Sequence, residues 1–178
     1  TIKDNYHQFK DMVTLSESLS DSYHIGAPWL YLSACGDKKK NEEIISQRLD
    51  PEHMIEFDKP SLGFERNSEN ICYSTGEDYF FSHCIKSKRD FHIDPYGRMS
   101  FCFLIKDPEL RYNLRTGSFR DGWENFIPSL ESKIKIDEEY RKNCVPCELK
   151  EYCIGCPVYG YLEHGRFSAR VEYLCNVA

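Results

Sequence analysis

Residues 144–156 read Cys144-Val145-Pro146-Cys147-Glu148-Leu149-Lys150-Glu151-Tyr152-Cys153-Ile154-Gly155-Cys156, so that two Cys-x2-Cys pairs stand five residues apart. The turn within such a pair points both sulfurs inward, and the two thiolates can then converge on one metal. A tetrahedral centre takes four thiolates, and Cys84, Cys102 and Cys175 bring the candidate set to seven. Seven thiolates suit two sites, one complete and one with three cysteines.

The composition favours metal binding over a disulfide framework. The 178 residues include nine cysteines, an odd number, and no secretory signal is visible. Dense cysteines in a reducing cytosol more often serve metal binding or catalysis. The two cysteines outside the set of seven are Cys35 and Cys72.

Charge and hydropathy argue against two classes of partner. The net charge is −6, and the basic run Lys38-Lys39-Lys40 is closely followed by Glu42 and Glu43. Nucleic-acid binding through counterion release needs a concentrated basic face, and the sequence shows none. No stretch approaches the ~20 apolar residues of a membrane helix. We therefore expect a cytoplasmic protein with no nucleic-acid and no membrane partner.

The chain is expected to have an α+β fold in two parts. A stretch with Pro, Gly, Ser and Asn at 59–70 predicts a linker, which separates residues 1–66 from residues 67–178. Because the chain opens at Thr1 in a helix-like pattern, it is expected to be a piece of a longer protein. Patterns typical of helix, strand and two helices occur in the first part at 5–19, near 29–33, at 40–48 and from Pro51. This order suits the tail of an α/β unit.

The second part predicts a β-hairpin and short helices. The segments 91–94 and 99–103 flank a turn in which Gly97 supplies the left-handed residue. Asp94 is more typical of a turn cap, whose carboxylate bonds the backbone two residues on, than of a catalytic acid. A strand is predicted at 79–81. Short helices are predicted at 121–127, which Pro128 should end or kink, at 137–142, and from Pro157 to Gly165.

Zinc and iron–sulfur clusters are the two metal interpretations that the spacing allows. Two Cys-x2-Cys pairs also fit a zinc ribbon, but zinc pairs usually stand about 15–20 residues apart. A gap of five residues is too short for the hairpin between zinc knuckles, which favours iron–sulfur. The softness of thiolate ligands does not separate the two metals, so both stay open at this point.

The order of the cysteines resembles the seven-cysteine SPASM domain, which closes many radical SAM enzymes that mature peptides and proteins. The matching pattern runs Cys84-x12-Gly97-x4-Cys102, then Cys144-x2-Cys147-x5-Cys153-x2-Cys156, then Cys175. The last pair is separated by two residues, where the family usually has three. The resemblance covers about residues 72–178 and favours iron–sulfur over zinc. Residues 1–66 then look like the remnant of a radical SAM partial barrel with a linker.

The resemblance implies two auxiliary 4Fe–4S clusters. Their ligands would be Cys84, Cys102 and Cys156 for the first cluster, and Cys144, Cys147, Cys153 and Cys175 for the second. Sulfatase maturases add a fourth ligand to the first cluster, at the position that Asp90 occupies here. Either Cys72 supplies that ligand or one iron is open to a substrate group. A plain buried cysteine is the alternative role for Cys72.

The resemblance further implies an oxidoreductase that modifies a ribosomally made peptide or protein, with the clusters handling electrons. Phe103 stands where sulfatase maturases have an acidic residue, which favours another modification such as crosslink formation. The Cys-x3-Cys-x2-Cys motif is absent, so S-adenosylmethionine and a third cluster would belong to a missing amino-terminal part, and this chain alone is expected to be inactive.

Two kinds of partner are expected from the resemblance, the peptide or protein substrate and a reductant such as flavodoxin or ferredoxin. Two alternatives remain for the function. One is a zinc-stabilised, cysteine-rich interaction module without a redox role. The other is a peptide-docking element whose clusters are only structural.

Overall fold

The computed structural model describes residues 2–22, 30–57, 79–150, 153 and 155–178. The helices are α1 (Phe9–Leu19), α2 (Lys38–Ser46), α3 (Pro51–Phe57), α4 (Ser82–Ser87), α5 (Phe119–Asp121), α6 (Ile127–Ser129), α7 (Glu138–Asn143), α8 (Pro157–His164) and α9 (Glu172–Val177). The strands β1 (His92–Ile93), β2 (Arg98–Ser100) and β3 (Tyr112–Asn113) form one antiparallel sheet in the order β1-β2-β3. The described residues thus combine helices with a small antiparallel sheet; the α+β class with a partial barrel and a SPASM domain stays a prediction. In this described part of the chain, no helix combines the length and apolar character needed to span a membrane.

The three amino-terminal helices agree with the predicted ones. A 3-10 turn, Tyr6–Gln8, leads into α1. Helix α2 begins after Asp37, whose carboxylate accepts a hydrogen bond from the Lys40 N–H at 2.7 Å. Helix α3 begins at Pro51, which suits the first helical position because a proline has no N–H to leave unpaired. The predicted linker at 59–70 and the predicted domain boundary lie outside the described residues.

The strand predicted near 29–33 is wrong over its described part, since residues 30–33 form no strand. Side chains bind this backbone. The Arg48 Nε donates to the Leu30 carbonyl at 2.8 Å, and the Asn41 side-chain oxygen accepts from the Ser33 N–H at 2.8 Å. These bonds satisfy groups that a neighbouring strand would otherwise have to pair.

The strand predicted at 79–81 is reduced to a single bridge, between Tyr79 and Lys135. Phe80 and Phe81 lie in the turn before α4, and both are buried. The Phe80 N–H donates to the Ile134 carbonyl at 2.8 Å. The apolar pattern therefore indicated burial correctly, whereas the strand assignment was wrong.

The predicted hairpin is confirmed by the antiparallel pairing of β1 with β2. Gly97 has a φ of 78°, a left-handed conformation that glycine adopts without strain. The Asp94 carboxylate accepts hydrogen bonds from the N–H groups of Tyr96 and Arg98, both at 2.9 Å. This is the predicted turn cap. The Cα partners are His92–Ser100 and Ile93–Met99 in the first ladder, and Arg98–Asn113 and Met99–Tyr112 in the second.

One hydrophobic core lies under the hairpin and the helices that follow it. Its least exposed side chains are Phe81, Met99, Ile105, Ile127, Leu130 and Val158. The ring of Phe81 packs against Phe101 and Phe167, with centroids 5.3 and 5.1 Å apart. Each fully buried side chain of this size stabilises the fold by roughly 1.5–3 kcal/mol. The core therefore fixes β2, α4, α6 and α8 relative to one another.

Pro128 was predicted to end or kink the helix before it, and the first of these effects is not observed, since the helical segment that begins at Phe119 continues past Pro128. Helix α5 is followed by a π-helical turn, Gly122–Phe126, and α6 continues through Pro128 into the 3-10 turn Leu130–Ser132. A proline lacks the N–H for an α-helical bond, and its ring clashes with the carbonyl four residues back. The π turn directly before it changes the bonding pattern, so the backbone can stay helical there.

The carboxyl-terminal helix α9 packs on α3 of the amino-terminal part. The Arg48 guanidinium donates to a Glu163 oxygen at 2.6 Å and lies over the Tyr173 ring, 5.0 Å from its centroid. The Tyr173 hydroxyl donates to the Leu49 carbonyl at 3.0 Å. These contacts join the residues around α3 to α8 and α9.

Candidate metal centre

Four cysteines line one cavity of about 280 Å³: Cys144, Cys147, Cys153 and Cys175. They are the four residues that the sequence resemblance assigns to the second cluster. Each of the four is partly buried. The structure therefore brings this set together around a common space.

Consecutive turns position the first three of these cysteines. The Cys144 N–H, directly after α7, donates to the Tyr140 carbonyl at 2.9 Å. The Cys147 N–H donates to the Cys144 carbonyl at 3.2 Å, which closes the turn that the Cys-x2-Cys spacing predicts. The Cys153 N–H donates to the Leu149 carbonyl at 2.9 Å.

Cys175 reaches the same cavity through tertiary packing. It lies in α9, and its N–H donates to the Val171 carbonyl at 3.1 Å. Helix α9 is positioned by its contact with α3 and by the bond from Tyr173 to Leu49. The fourth sulfur thus depends on residues that are far from the Cys-x2-Cys pairs in sequence.

The pKa of the Cys144 thiol reflects both its burial and the cysteines beside it. Burial, and next the repulsion from Cys175, Cys153 and Cys147, raise the pKa of the Cys144 thiol to about 11, while the charge of Arg170 lowers it. Neighbouring thiolates repel one another, so each thiol tends to keep its proton. A bound metal centre replaces those protons and compensates the negative charges. Arg170, which also lines the cavity, contributes a positive charge beside them. Sequence reasoning missed Arg170, and its position five residues before Cys175 was the only available signal.

Cys156 lies next to this group. It is the residue before α8, and it lines a smaller cavity of about 60 Å³ together with Cys144, Cys153 and Cys175. That cavity is also bordered by core side chains, among them Phe167. The predicted assignment of Cys156 to the other cluster stays a prediction.

The remaining predicted ligands border the hydrophobic core. Cys84 lies in α4 and Cys102 follows β2 after one residue, and both pack against the same core as Cys156. Cys72, the suggested fourth ligand, lies outside the described residues. Cys35 is exposed and lines a different cavity. No disulfide bond joins two of the cysteines that the structure describes.

The donors present fit a thiolate-ligated cluster. Cysteine sulfur is the ligand that 4Fe–4S clusters use, and four cysteines surround the larger cavity. Its volume of about 280 Å³ exceeds the roughly 30 Å³ share of one water molecule several-fold, so a group much larger than a single ion has room there. No three His, Cys, Asp or Glu side chains of the described residues form a site for one metal ion.

Comparison with known proteins finds a similarity over part of the chain. Over 86 residues the chain is 30% identical to an AdoMet-dependent heme synthase of Methanosarcina barkeri. The match covers 43% of this chain and 24% of the relative, so the chain spans about a quarter of that protein's length. No family model and no solved structure matches. At this coarse level the similarity supports a relation to radical SAM enzymes; it does not extend to a SPASM domain or to peptide maturation.

Proposed function

We propose that this chain is the auxiliary iron–sulfur cluster-binding, electron-transfer part of a radical SAM enzyme that modifies a ribosomally made peptide or protein. The observation that carries the proposal is the cavity shared by Cys144, Cys147, Cys153 and Cys175. The similarity of part of the chain to an AdoMet-dependent enzyme supports the radical SAM relation.

The proposed ligands divide into two sets. The four cysteines of the larger cavity would hold the second 4Fe–4S cluster, and Cys84, Cys102 and Cys156 would hold the first, with Cys72 or a substrate group as its fourth ligand. A bound cluster supplies one-electron transfer at a potential set by nearby charge, hydrogen bonds and burial. S-adenosylmethionine would bind in a part of the protein outside this sequence.

The chain's own residues would prepare the larger site in two ways. Burial and the neighbouring cysteines raise the pKa of the Cys144 thiol, and the Arg170 guanidinium opposes this by lowering it. The adjoining cavity is bordered by the apolar side chains of Phe167, Val171 and Leu174. These side chains would limit the access of water to the sulfurs from that side. A water-poor surrounding and a fixed positive charge are both means by which a protein tunes a metal centre.

Anaerobic iron and sulfide analysis tests the proposal. The full chain should contain about eight iron atoms and eight acid-labile sulfides, and EPR of the reduced form should show 4Fe–4S signals. Cys144→Ser and Cys175→Ser should each remove about four of both, because they share one cluster. Cys102→Ser should also remove about four, and Cys102→Ser combined with Cys144→Ser about eight.

Cys35→Ser is the matched control, since Cys35 lines another cavity and is exposed. It should leave the iron count unchanged. If Cys144→Ser keeps all of its iron, the proposed ligand set is wrong. Stoichiometric zinc without sulfide would instead establish the zinc-stabilised interaction module.

A heme precursor is the second candidate substrate, because the similar protein is a heme synthase by name. The two candidate substrates, a peptide and a heme precursor, are distinguished by which of them the enzyme changes in mass. Full-length protein incubated with S-adenosylmethionine and a reductant should alter the mass of a precursor peptide in the first case and of a tetrapyrrole in the second. Alteration of the tetrapyrrole alone would refute the peptide as substrate.

A further inference from the structure

A separate cavity, of about 600 Å³, lies beside the hairpin turn and concentrates positive charge. Its lining includes four cationic side chains, Arg98, Lys106, Arg111 and Arg115. Asp94 is the one carboxylate among the described residues that line it. Four positive charges against one negative charge leave the lining at +3, in a chain whose net charge is −6. Charges of one sign along a concave surface raise the local concentration of an oppositely charged ligand.

Three of these cations are available to a ligand. Arg98 and Arg115 are exposed and Lys106 is partly buried. Within the described part of the chain, none of the three forms an ion pair within 4.0 Å of an acidic side chain. The sequence did not reveal this positive lining, because the three available cations lie in three separate segments. These are β2, the stretch before the 3-10 turn Pro108–Leu110, and the loop after β3.

Arg111 is held in place at the wall of the cavity. Its Nη1 donates to an Asp94 oxygen at 2.8 Å, and the two side chains are only 13% and 16% exposed. The Arg111 Nε is buried and has no hydrogen-bond acceptor among the described residues. A buried donor without an acceptor is unfavourable, and a ligand oxyanion that accepted from it would remove this penalty. The planar guanidinium is suited to carboxylate recognition.

We propose that this cavity binds an acidic segment of a peptide or protein through its Asp and Glu carboxylates. The cations are spread over three segments of an open space, which matches several carboxylates along a chain better than one compact anion. Pro95 and the 71% exposed Tyr96 lie at the same cavity and offer apolar contact to the peptide between its charges. The peptide nature of the ligand rests on the proposed function, whereas the positive cavity does not require bound clusters.

Fluorescence anisotropy of a labelled peptide tests the proposal. The probe is an eight-residue peptide with four glutamates and one tyrosine, added to the anaerobically purified full chain; the matched peptide has four glutamines. The glutamate peptide should bind, and its affinity should fall as salt rises from 50 to 300 mM because partly exposed charges are screened. Lys106→Gln combined with Arg115→Gln should weaken binding about tenfold.

The control variant is Lys38→Gln combined with Lys39→Gln, which removes the same charge from exposed positions of α2. It should leave the affinity within about twofold. Circular dichroism should show both double variants folded, as expected for side chains outside the core.

Several results would overturn the proposal. They are equal weakening by the two double variants, equal binding of the glutamine peptide, and tighter binding of a single-stranded oligonucleotide or of inorganic phosphate at the same cations. Iron content is measured on the same preparations. In the unmodified chain, iron present without binding of the glutamate peptide counts against the cavity proposal alone, and peptide binding without iron counts against the proposed function alone.

Discussion

Replacement of Arg48 by Met should destabilise the protein by about 3–4 kcal/mol. The Arg48 and Glu163 side chains are 9% and 16% exposed, and their charged atoms lie 2.6 Å apart. Removal of one partner from a buried ion pair costs about 3–5 kcal/mol, because the other charge stays buried without compensation. Because Glu163 is partly exposed, we expect the loss of the ion pair to cost about 3 kcal/mol, the lower end of this range. The lost bond to the Leu30 carbonyl adds roughly 1 kcal/mol.

Urea unfolding followed by intrinsic fluorescence measures the free energy of unfolding, with scanning calorimetry beside it. The expected loss corresponds to a fall of roughly 10 °C in Tm for a chain of this size. Arg120→Gln is the matched control, because the Arg120–Glu124 pair is exposed and 3.9 Å long. It should change the stability by less than about 0.5 kcal/mol.

The double replacement Arg48→Met with Glu163→Met isolates the reason for the loss. Removal of both charges leaves no buried ion, so most of the lost stability should return. The interpretation is that the Arg48–Glu163 pair stabilises the contact between α8 and the amino-terminal part. It would be refuted if Arg48→Met lowered the free energy of unfolding by less than about 1 kcal/mol, or if the double variant regained no stability.

Three further replacements test other parts of the fold. Met99→Ala empties a fully buried position of the core and should lower the free energy of unfolding by about 2–5 kcal/mol in urea; a loss under 1 kcal/mol would contradict the core assignment. Gly160→Ala places a Cβ against the Ala169 carbonyl oxygen and should lower the free energy of unfolding by about 1–3 kcal/mol in urea. An unchanged stability would argue against the close approach of the Ala169 backbone to α8. Asp94→Asn removes a carboxylate whose pKa is held below its ordinary value, first by the bond from the Arg98 N–H. Because that pKa is lowered on folding, the wild type should exceed Asp94→Asn in free energy of unfolding by the full amount at pH 7. The difference should shrink as the pH falls below the ordinary carboxyl pKa of about 3.9. A difference that stays constant from pH 7 to pH 3 would contradict this role.

Much of the local structure was predictable because its signals lie within a few residues. The hairpin followed from Gly97 between two apolar runs, and α8 from Pro157 at one end and Gly165 at the other. The turn cap at Asp94 is a contact over two to four residues, which explains why the sequence pattern sufficed. The strand predicted near 29–33 failed over its described part because side chains, rather than a neighbouring strand, bind that backbone.

The grouping of the candidate ligands was only partly predictable from the sequence, and the chemistry of the site stays a prediction. Two Cys-x2-Cys pairs separated by five residues already indicated a thiolate-bound centre, since short turns bring such sulfurs together. The position of Cys175 depends on the packing of α9 against α3, and the positive cavity depends on three separate segments that meet beside the hairpin. Spacing along the chain specifies only contacts that a turn or one helix can make. Contacts between distant segments depend on how the apolar faces pack, and only the tertiary structure decides that.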